Sequence, residues 1–206
     1  MERHSIAPVR KVMLFLAVVV SLALVPLPRS PAAQPLQHVN ATWSFGSFAG
    51  VMTDDRASEA LNPTRVRFVD QYLFGVMLGY DQPLGQSRLS LGFELQAVLH
   101  VGDQDFYEIA LPLTLRYRPQ DSWWDVFDSF AFGLGGSHYS QISDLEREVY
   151  GESRRNLFYW FLEAEFATNE PGETLFARLH HRSNAFGTLR PNGGSNALVF
   201  GIRRTF

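Results

Sequence analysis

The feature that most constrains the fold of this chain is a two-residue alternation of apolar and polar side chains. From Leu89 to His100 nearly every second residue is a large apolar one, and most residues between them are polar or glycine. A period of two is that of a β-strand, whose successive side chains point to opposite faces. The next segment, Tyr107 to Tyr117, repeats the pattern. Because Pro112 within it cannot donate a ladder hydrogen bond, we expect a bulge or a bend there.

Eight segments of this kind follow residue 39. They lie near residues 40–52, 65–80, 87–101, 105–118, 127–139, 155–168, 174–186 and 195–206. After residue 33 the sequence has no apolar run long enough for a transmembrane helix. Strands with one apolar and one polar face are typical of barrels that cross a membrane, because one face meets lipid and the other meets the interior. The sequence therefore predicts an all-β fold, an eight-stranded antiparallel transmembrane β-barrel.

Charged residues on the polar faces need partners inside such a barrel. Glu163 and Glu165 share the inward face of a segment that is otherwise apolar and aromatic. Buried carboxylates are costly unless they are paired. We expect arginines on the inward faces, such as Arg116, Arg118 and Arg178, to meet them.

The first 33 residues have the layout of a secretory signal peptide. A basic start with Arg10 and Lys11 precedes an apolar stretch from Val12 to Val25, and small residues follow up to Ala33. We therefore expect a signal peptide over residues 1–33, which is cleaved, and the barrel over residues 34–206. The C-terminal Phe206 closes an amphipathic strand, which is typical of proteins inserted by the outer-membrane assembly machinery. The expected location is the cell outer membrane of a Gram-negative type of cell.

Composition excludes several other classes of protein. The chain has no cysteine, which excludes disulfide frameworks, thiolate metal sites and thiol nucleophiles. Its formal net charge of −3 argues against a general nucleic-acid binder. His180 and His181 are adjacent, so on a strand they face opposite sides and cannot ligate one metal ion. We expect neither a metal nor a cofactor.

Candidate chemistry is concentrated near the end of the seventh segment. His181 and Ser183 continue the parity of Leu175 and Leu179, so they would share the outward, lipid-facing side near the outer end of the strand. A histidine and a serine at this spacing can approach the geometry in which a base activates a hydroxyl nucleophile. A structural role for this pair is the alternative, since interfacial strand positions often carry such residues.

The stretch His181-Arg182-Ser183-Asn184-Ala185, with a short Pro/Asn/Gly loop and a last strand ending in Phe206, resembles the PagL-type lipid A deacylases. Those acyloxyacyl hydrolases are eight-stranded outer-membrane barrels that remove an ester-linked acyl chain from lipid A. The resemblance implies that Ser183 is the nucleophile, that His181 is the general base and that Asn184 helps to hold the oxyanion. It also implies lipid A or lipopolysaccharide of the outer leaflet as substrate, and it leaves open whether the barrel forms a homodimer.

The chain departs from the family at the third catalytic position. The family has a glutamate about a dozen residues after the serine, and here that stretch is Gly193-Gly194-Ser195-Asn196. Asn196 has the parity of Leu198 and Phe200, so it could lie beside His181 and accept the imidazole N–H, although Ser195 is also polar. The alternative is a small barrel without catalytic activity, serving adhesion or membrane integrity, that keeps the family scaffold.

Overall fold

A computed structural model of the protein describes residues 41–55, 57–60, 66–119, 126–185 and 193–206. The expected signal peptide, residues 1–33, lies outside the described residues. The strands are β1 (Thr42–Thr53), β2 (Phe68–Pro83), β3 (Leu89–Gly102), β4 (Phe106–Tyr117), β5 (Phe127–Tyr139), β6 (Asn156–Ala167), β7 (Glu173–Ser183) and β8 (Gly194–Thr205). The helices are α1 (Ala57–Ala60) and α2 (Asp144–Tyr150). Neither of these two short helices is long or apolar enough to cross a membrane.

The strands form one closed antiparallel barrel. Each strand pairs with the next along the chain, and β1 closes the ring by pairing with β8. The eight-stranded barrel predicted from the alternation is thereby confirmed, and every strand end lies within three residues of its predicted position.

Of the bulge or bend predicted at Pro112, the bulge was wrong. The pairing of β3 with β4 keeps one register on both sides of this residue. Across the other edge of β4, Pro112 lies opposite Gly135. A Cβ atom on Gly135 would come within 2.6 Å of the Cα atom of Pro112, so only a glycine lets the two backbones approach this closely. The proline is accommodated by its neighbour and the register is unchanged.

The outer wall of the barrel is apolar and exposed. Large hydrophobic side chains with more than half of their surface exposed include Leu99, Leu111, Leu113 and Phe200. In a water-soluble protein side chains of this kind would form the core, whereas here they cover the outside. This distribution is typical of a barrel whose outer wall contacts lipid.

The centre of the barrel holds a cluster of three arginines and three glutamates. Arg178 donates to Glu163 over 2.5 Å and to Glu94 over 3.0 Å. The other members, all at most 3% exposed, are Arg116, Arg203 and Glu165. Because each carboxylate faces more than one guanidinium, opposite charges balance in a space without bulk water.

The prediction that Arg118 contacts these glutamates was wrong. Arg116 and Arg178 contact the glutamates, but Arg118 lies 3.6 Å from Asp128 and is about 29% exposed. Arg203 takes the third place and donates to Glu163 over 2.8 Å. The sequence contained a signal for this, since Arg203 has the inward parity opposite to that of Ile202, whereas Arg118 lies beyond the last residue of β4.

The end of the barrel near His181 is tied to α2. Glu146 of this helix is fully buried and accepts from Arg182 of β7 over 2.8 Å and from Ser195 of β8 over 3.2 Å. Arg182 also donates to the main-chain carbonyls of Arg154 and Arg155. The connection between β5 and β6 therefore holds the C-terminal end of β7 from the inside of the barrel.

We expect Arg178→Met to destabilise the barrel by about 3–5 kcal/mol, because it leaves Glu163 buried without its closest cation. The measurement is the free energy of unfolding in urea, followed by tryptophan fluorescence of the protein in lipid vesicles. Arg147→Met is the control, since that arginine makes only an exposed pair with Asp144. Equal unfolding midpoints for the two variants would contradict the prediction.

Candidate functional site

Strand pairing assembles a row of side chains on the outer wall. His181 of β7 lies opposite Trp160 of β6 on one side and opposite Asn196 of β8 on the other. Asn196 in turn lies opposite Thr53 of β1. The row therefore spans four neighbouring strands near one end of the barrel.

His181 is held by both of its neighbours in this row. Its Nδ1 atom lies 2.5 Å from Oδ1 of Asn196, and its ring packs on Trp160 with 4.4 Å between the ring centroids. The amide nitrogen of Asn196 donates to the main-chain carbonyl of Asp55 over 2.7 Å. Although His181 and Asn196 belong to the outward face, they are only 8% and 1% exposed, and Trp160 and Asp55 lie against them.

This geometry determines what the imidazole can do. The Oδ1 atom of Asn196 can only accept, so Nδ1 of His181 carries the proton of their hydrogen bond. In the neutral ring the lone pair is then on Nε2. A neutral, oriented imidazole with its lone pair on Nε2 has the arrangement of a general base.

Ser183 ends β7 on the same face as His181. Two residues along a strand separate the Cα atoms by about 7 Å. Within the described residues no hydrogen bond joins the Ser183 hydroxyl to His181; this hydroxyl instead accepts from the N–H of Ala185 over 3.4 Å. Asn184 follows as the first residue after the strand and is half-buried. Ala185 has a φ of 49°, in the left-handed region that residues other than glycine rarely adopt.

The neighbouring residue His180 faces the opposite side of the wall. Its Nε2 atom lies 3.1 Å from Glu108, which also lies 3.1 Å from Nε2 of His100 inside the barrel. Ser195, the other polar residue considered next to Asn196, points inward to Glu146 and Tyr139. In the part of the chain that the structure describes, no group of three or more His, Cys, Asp or Glu side chains is arranged to hold a metal ion.

A contact between Asp55 and Arg67, which the sequence analysis did not predict, lies next to Asn196. The carboxylate of Asp55, two residues after β1, accepts from the N–H of Arg67 over 2.5 Å and from its Nε over 3.0 Å. The Thr53 hydroxyl donates to it over 3.1 Å. The hydrogen bond from the Arg67 main chain lowers the pKa of Asp55, followed by those from Thr53 and the Arg67 side chain. Outward parity in β6 could have pointed to Trp160, but no pattern in the sequence links Asp55 or Arg67 to His181.

Comparison with known proteins supports the architecture. The chain matches no protein-family model and no curated protein sequence. Its fold is similar to that of a solved structure of the outer membrane enzyme PagL, at 14% identity and a TM-score of 0.57, covering 78% of this chain and 98% of that one. Neisserial surface protein A (NspA) gives 12% identity, a TM-score of 0.46 and coverage of 81% and 99%. The outer membrane protein Ail of Yersinia pestis gives 16%, 0.42, 80% and 99%. At such identities the likeness to PagL is one of fold.

We expect the carboxyl group of Asp55 to titrate below the ordinary aspartate value of about 3.9. Since its folded pKa is lowered, its contribution to stability is present above the ordinary value and is lost only as the pH falls through the lower folded value. The measurement is a ¹³C carboxyl titration of the folded protein in detergent micelles. A midpoint at or above the ordinary value would contradict the hydrogen bonding described here.

Proposed function

We propose that this protein is an outer-membrane serine esterase that removes an ester-linked acyl chain from lipid A, as a 3-O-deacylase does. The observation that carries the proposal is the 2.5 Å contact between Nδ1 of His181 and Asn196, on the outward wall and two residues from Ser183. An imidazole oriented in this way, beside a serine on the same face, suits the activation of a hydroxyl nucleophile.

The place of the site on the barrel agrees with a lipid substrate. The exposed outer wall is apolar, so acyl chains can lie against it while the ester reaches the end of β7 from the side. The substrate proposed is lipid A or lipopolysaccharide of the outer leaflet. Export by a signal peptide over residues 1–33 and insertion by the outer-membrane assembly machinery belong to the same proposal, with residues 34–206 forming the barrel.

In the proposed reaction Ser183 Oγ attacks the carbonyl carbon of the ester, and its proton passes to Nε2 of His181. The tetrahedral intermediate expels the sugar oxygen, which takes that proton and leaves as a hydroxyl group. Water then attacks the acyl-serine and gives one proton to His181, which returns it to Ser183 as the fatty acid departs. His181 is neutral again after each of the two steps, and the proposed reaction requires no cofactor.

The negative charge on the intermediate needs donors close to Ser183. The main-chain N of Ala185 lies 3.4 Å from the serine oxygen, and its N–H is the first donor proposed for the oxyanion that forms beside this oxygen. The side chain of Asn184 is the second proposed donor. A preorganised main-chain donor of this kind stabilises charge that develops in the transition state.

Asn196 takes the part of the residue that orients His181. Its neutral amide accepts the Nδ1 proton but stabilises the imidazolium less than a carboxylate would. The proposed enzyme is therefore expected to be slower than an otherwise equal one with a carboxylate at this place.

The decisive experiment is mass spectrometry of lipid A from cells that express the wild type or Ser183→Ala. We expect the wild type to remove the mass of one hydroxyacyl chain and the variant to remove none, with both barrels inserted. Ser47→Ala is the matched control, since Ser47 lies on the outward face of β1 opposite Ile202, away from His181, and it should act like the wild type. Intact lipid A with the inserted wild-type protein would reject the proposal in favour of a barrel without this activity.

We expect Asn196→Ala to slow ester hydrolysis by about fivefold to tenfold, because it removes one hydrogen bond that holds His181 in place. The rate would be measured with purified protein in mixed micelles of lipid A and detergent. Ser195→Ala, a neighbouring change on the inward face, is the control for general damage to β8. An unchanged rate for Asn196→Ala would exclude Asn196 from the site.

A further inference from the structure

We infer that Asp55 and Arg67 are positioning residues of this site. They determine the orientation of the Asn196 amide, and thereby which ring nitrogen of His181 is the base. The inference rests on the proposed function and names two residues that the proposal does not need for the chemistry itself. Its physical basis is the difference between the two ends of an amide.

An asparagine can face a histidine in two ways. With its oxygen toward Nδ1 it accepts a proton from the ring, and Nε2 keeps the lone pair. With its NH2 group toward Nδ1 it donates, so the neutral ring must carry its proton on Nε2 and has no lone pair there for Ser183. The two orientations have almost the same shape, so packing alone discriminates poorly between them.

The main-chain carbonyl of Asp55 determines which of these two orientations the Asn196 amide adopts. It lies 2.7 Å from the amide nitrogen of Asn196, and a carbonyl oxygen can only accept a hydrogen bond. The NH2 end of Asn196 must therefore face Asp55, and the oxygen must face His181. An inverted amide would set two oxygen atoms against each other in a place where Asn196 is 1% exposed.

The Asp55 carbonyl is in turn held in place by its own side chain. That carboxylate is bound by the Arg67 N–H, by the Arg67 guanidinium and by Thr53, and Asp55 is only 6% exposed. Asp55 follows β1 and Arg67 directly precedes β2, so this clasp joins the two ends of the connection between these strands. Thr53 lies opposite Asn196, which keeps the clasp level with the site.

A carboxylate at position 196 would need no such clasp, since either of its oxygens can accept the Nδ1 proton. This difference provides the test. We expect Asp55→Ala to lower the rate of ester hydrolysis by about fivefold to tenfold in the wild-type chain, because the main-chain carbonyl of residue 55 is then no longer held against the amide of Asn196. In an Asn196→Asp chain one carboxylate oxygen accepts the Nδ1 proton and the other faces the Asp55 carbonyl, so releasing that carbonyl by the same change should not lower the rate.

Asp54→Ala is the matched control. It removes a neighbouring carboxylate whose closest contact to Arg67 is 3.5 Å, and it should leave the rate unchanged in both chains. Arg67→Ala is the second variant in case Asp55→Ala does not fold, because the Arg67 side chain is 69% exposed and its main-chain N–H remains. Equal losses from Asp55→Ala in the two chains would show a merely structural effect and overturn the inference.

A second readout separates this inference from the esterase proposal. The ¹⁵N shifts of His181, in micelles near neutral pH, distinguish a proton on Nδ1 from one on Nε2. We expect the Nδ1–H form in the wild type and in Asp54→Ala, and a larger share of the Nε2–H form in Asp55→Ala. An Nε2–H ring in the wild type, or an unchanged ring in Asp55→Ala, would overturn the inference even in an inactive protein, whereas the expected shift without hydrolysis would reject only the esterase proposal.

Discussion

The cluster of arginines and glutamates inside the barrel is the interaction on which the rest of the structure depends. Six charged side chains that are almost fully buried can remain in a narrow barrel only where every one of them meets opposite charge. A one-residue slip of any strand would send its charged residues to the apolar outside. The cluster thus holds the five strands that carry its members, β3, β4, β6, β7 and β8, to a single choice of inward and outward faces.

That choice creates the candidate site as a consequence. Because Arg178 and Arg182 must point inward, His181 and Ser183 between and beyond them must point outward. Interior contacts hold the strand from behind, with Arg178 in the cluster and Arg182 on Glu146. On the outward side, Trp160 and Asn196 fix the imidazole, and the Asp55 clasp fixes Asn196. Contacts from the interior and from the outer face therefore position the site together.

Much of the fold was predictable because its signal is local. Successive residues of a strand lie on alternate faces, so the eight segments could be predicted from the alternation. The same parity predicted that Arg116 and Arg178 face the glutamates of β6. The errors arose where a neighbouring strand decides the outcome. Gly135, on the adjacent strand, accommodates Pro112 without a bulge, and Arg118 lies beyond the end of β4, where Asp128 is closer than the glutamates. Parity also placed Asn196 on the face of His181, whereas their separation depends on the register of β7 with β8.

The sequence by itself determined that the chain forms amphipathic strands, how many there are, and which side chains share a face, because these properties depend only on residues next to each other. Closure of the barrel decided the rest. Only when β1 meets β8 does Asp55 come within hydrogen-bond distance of Asn196, 141 positions away along the chain. The alternation within a strand shows which of its residues share a face, but it does not show which segment lies beside that strand. Contacts between such distant segments therefore cannot be predicted from it. Tertiary structure alone therefore determines which ring nitrogen of His181 faces the oxygen of Asn196.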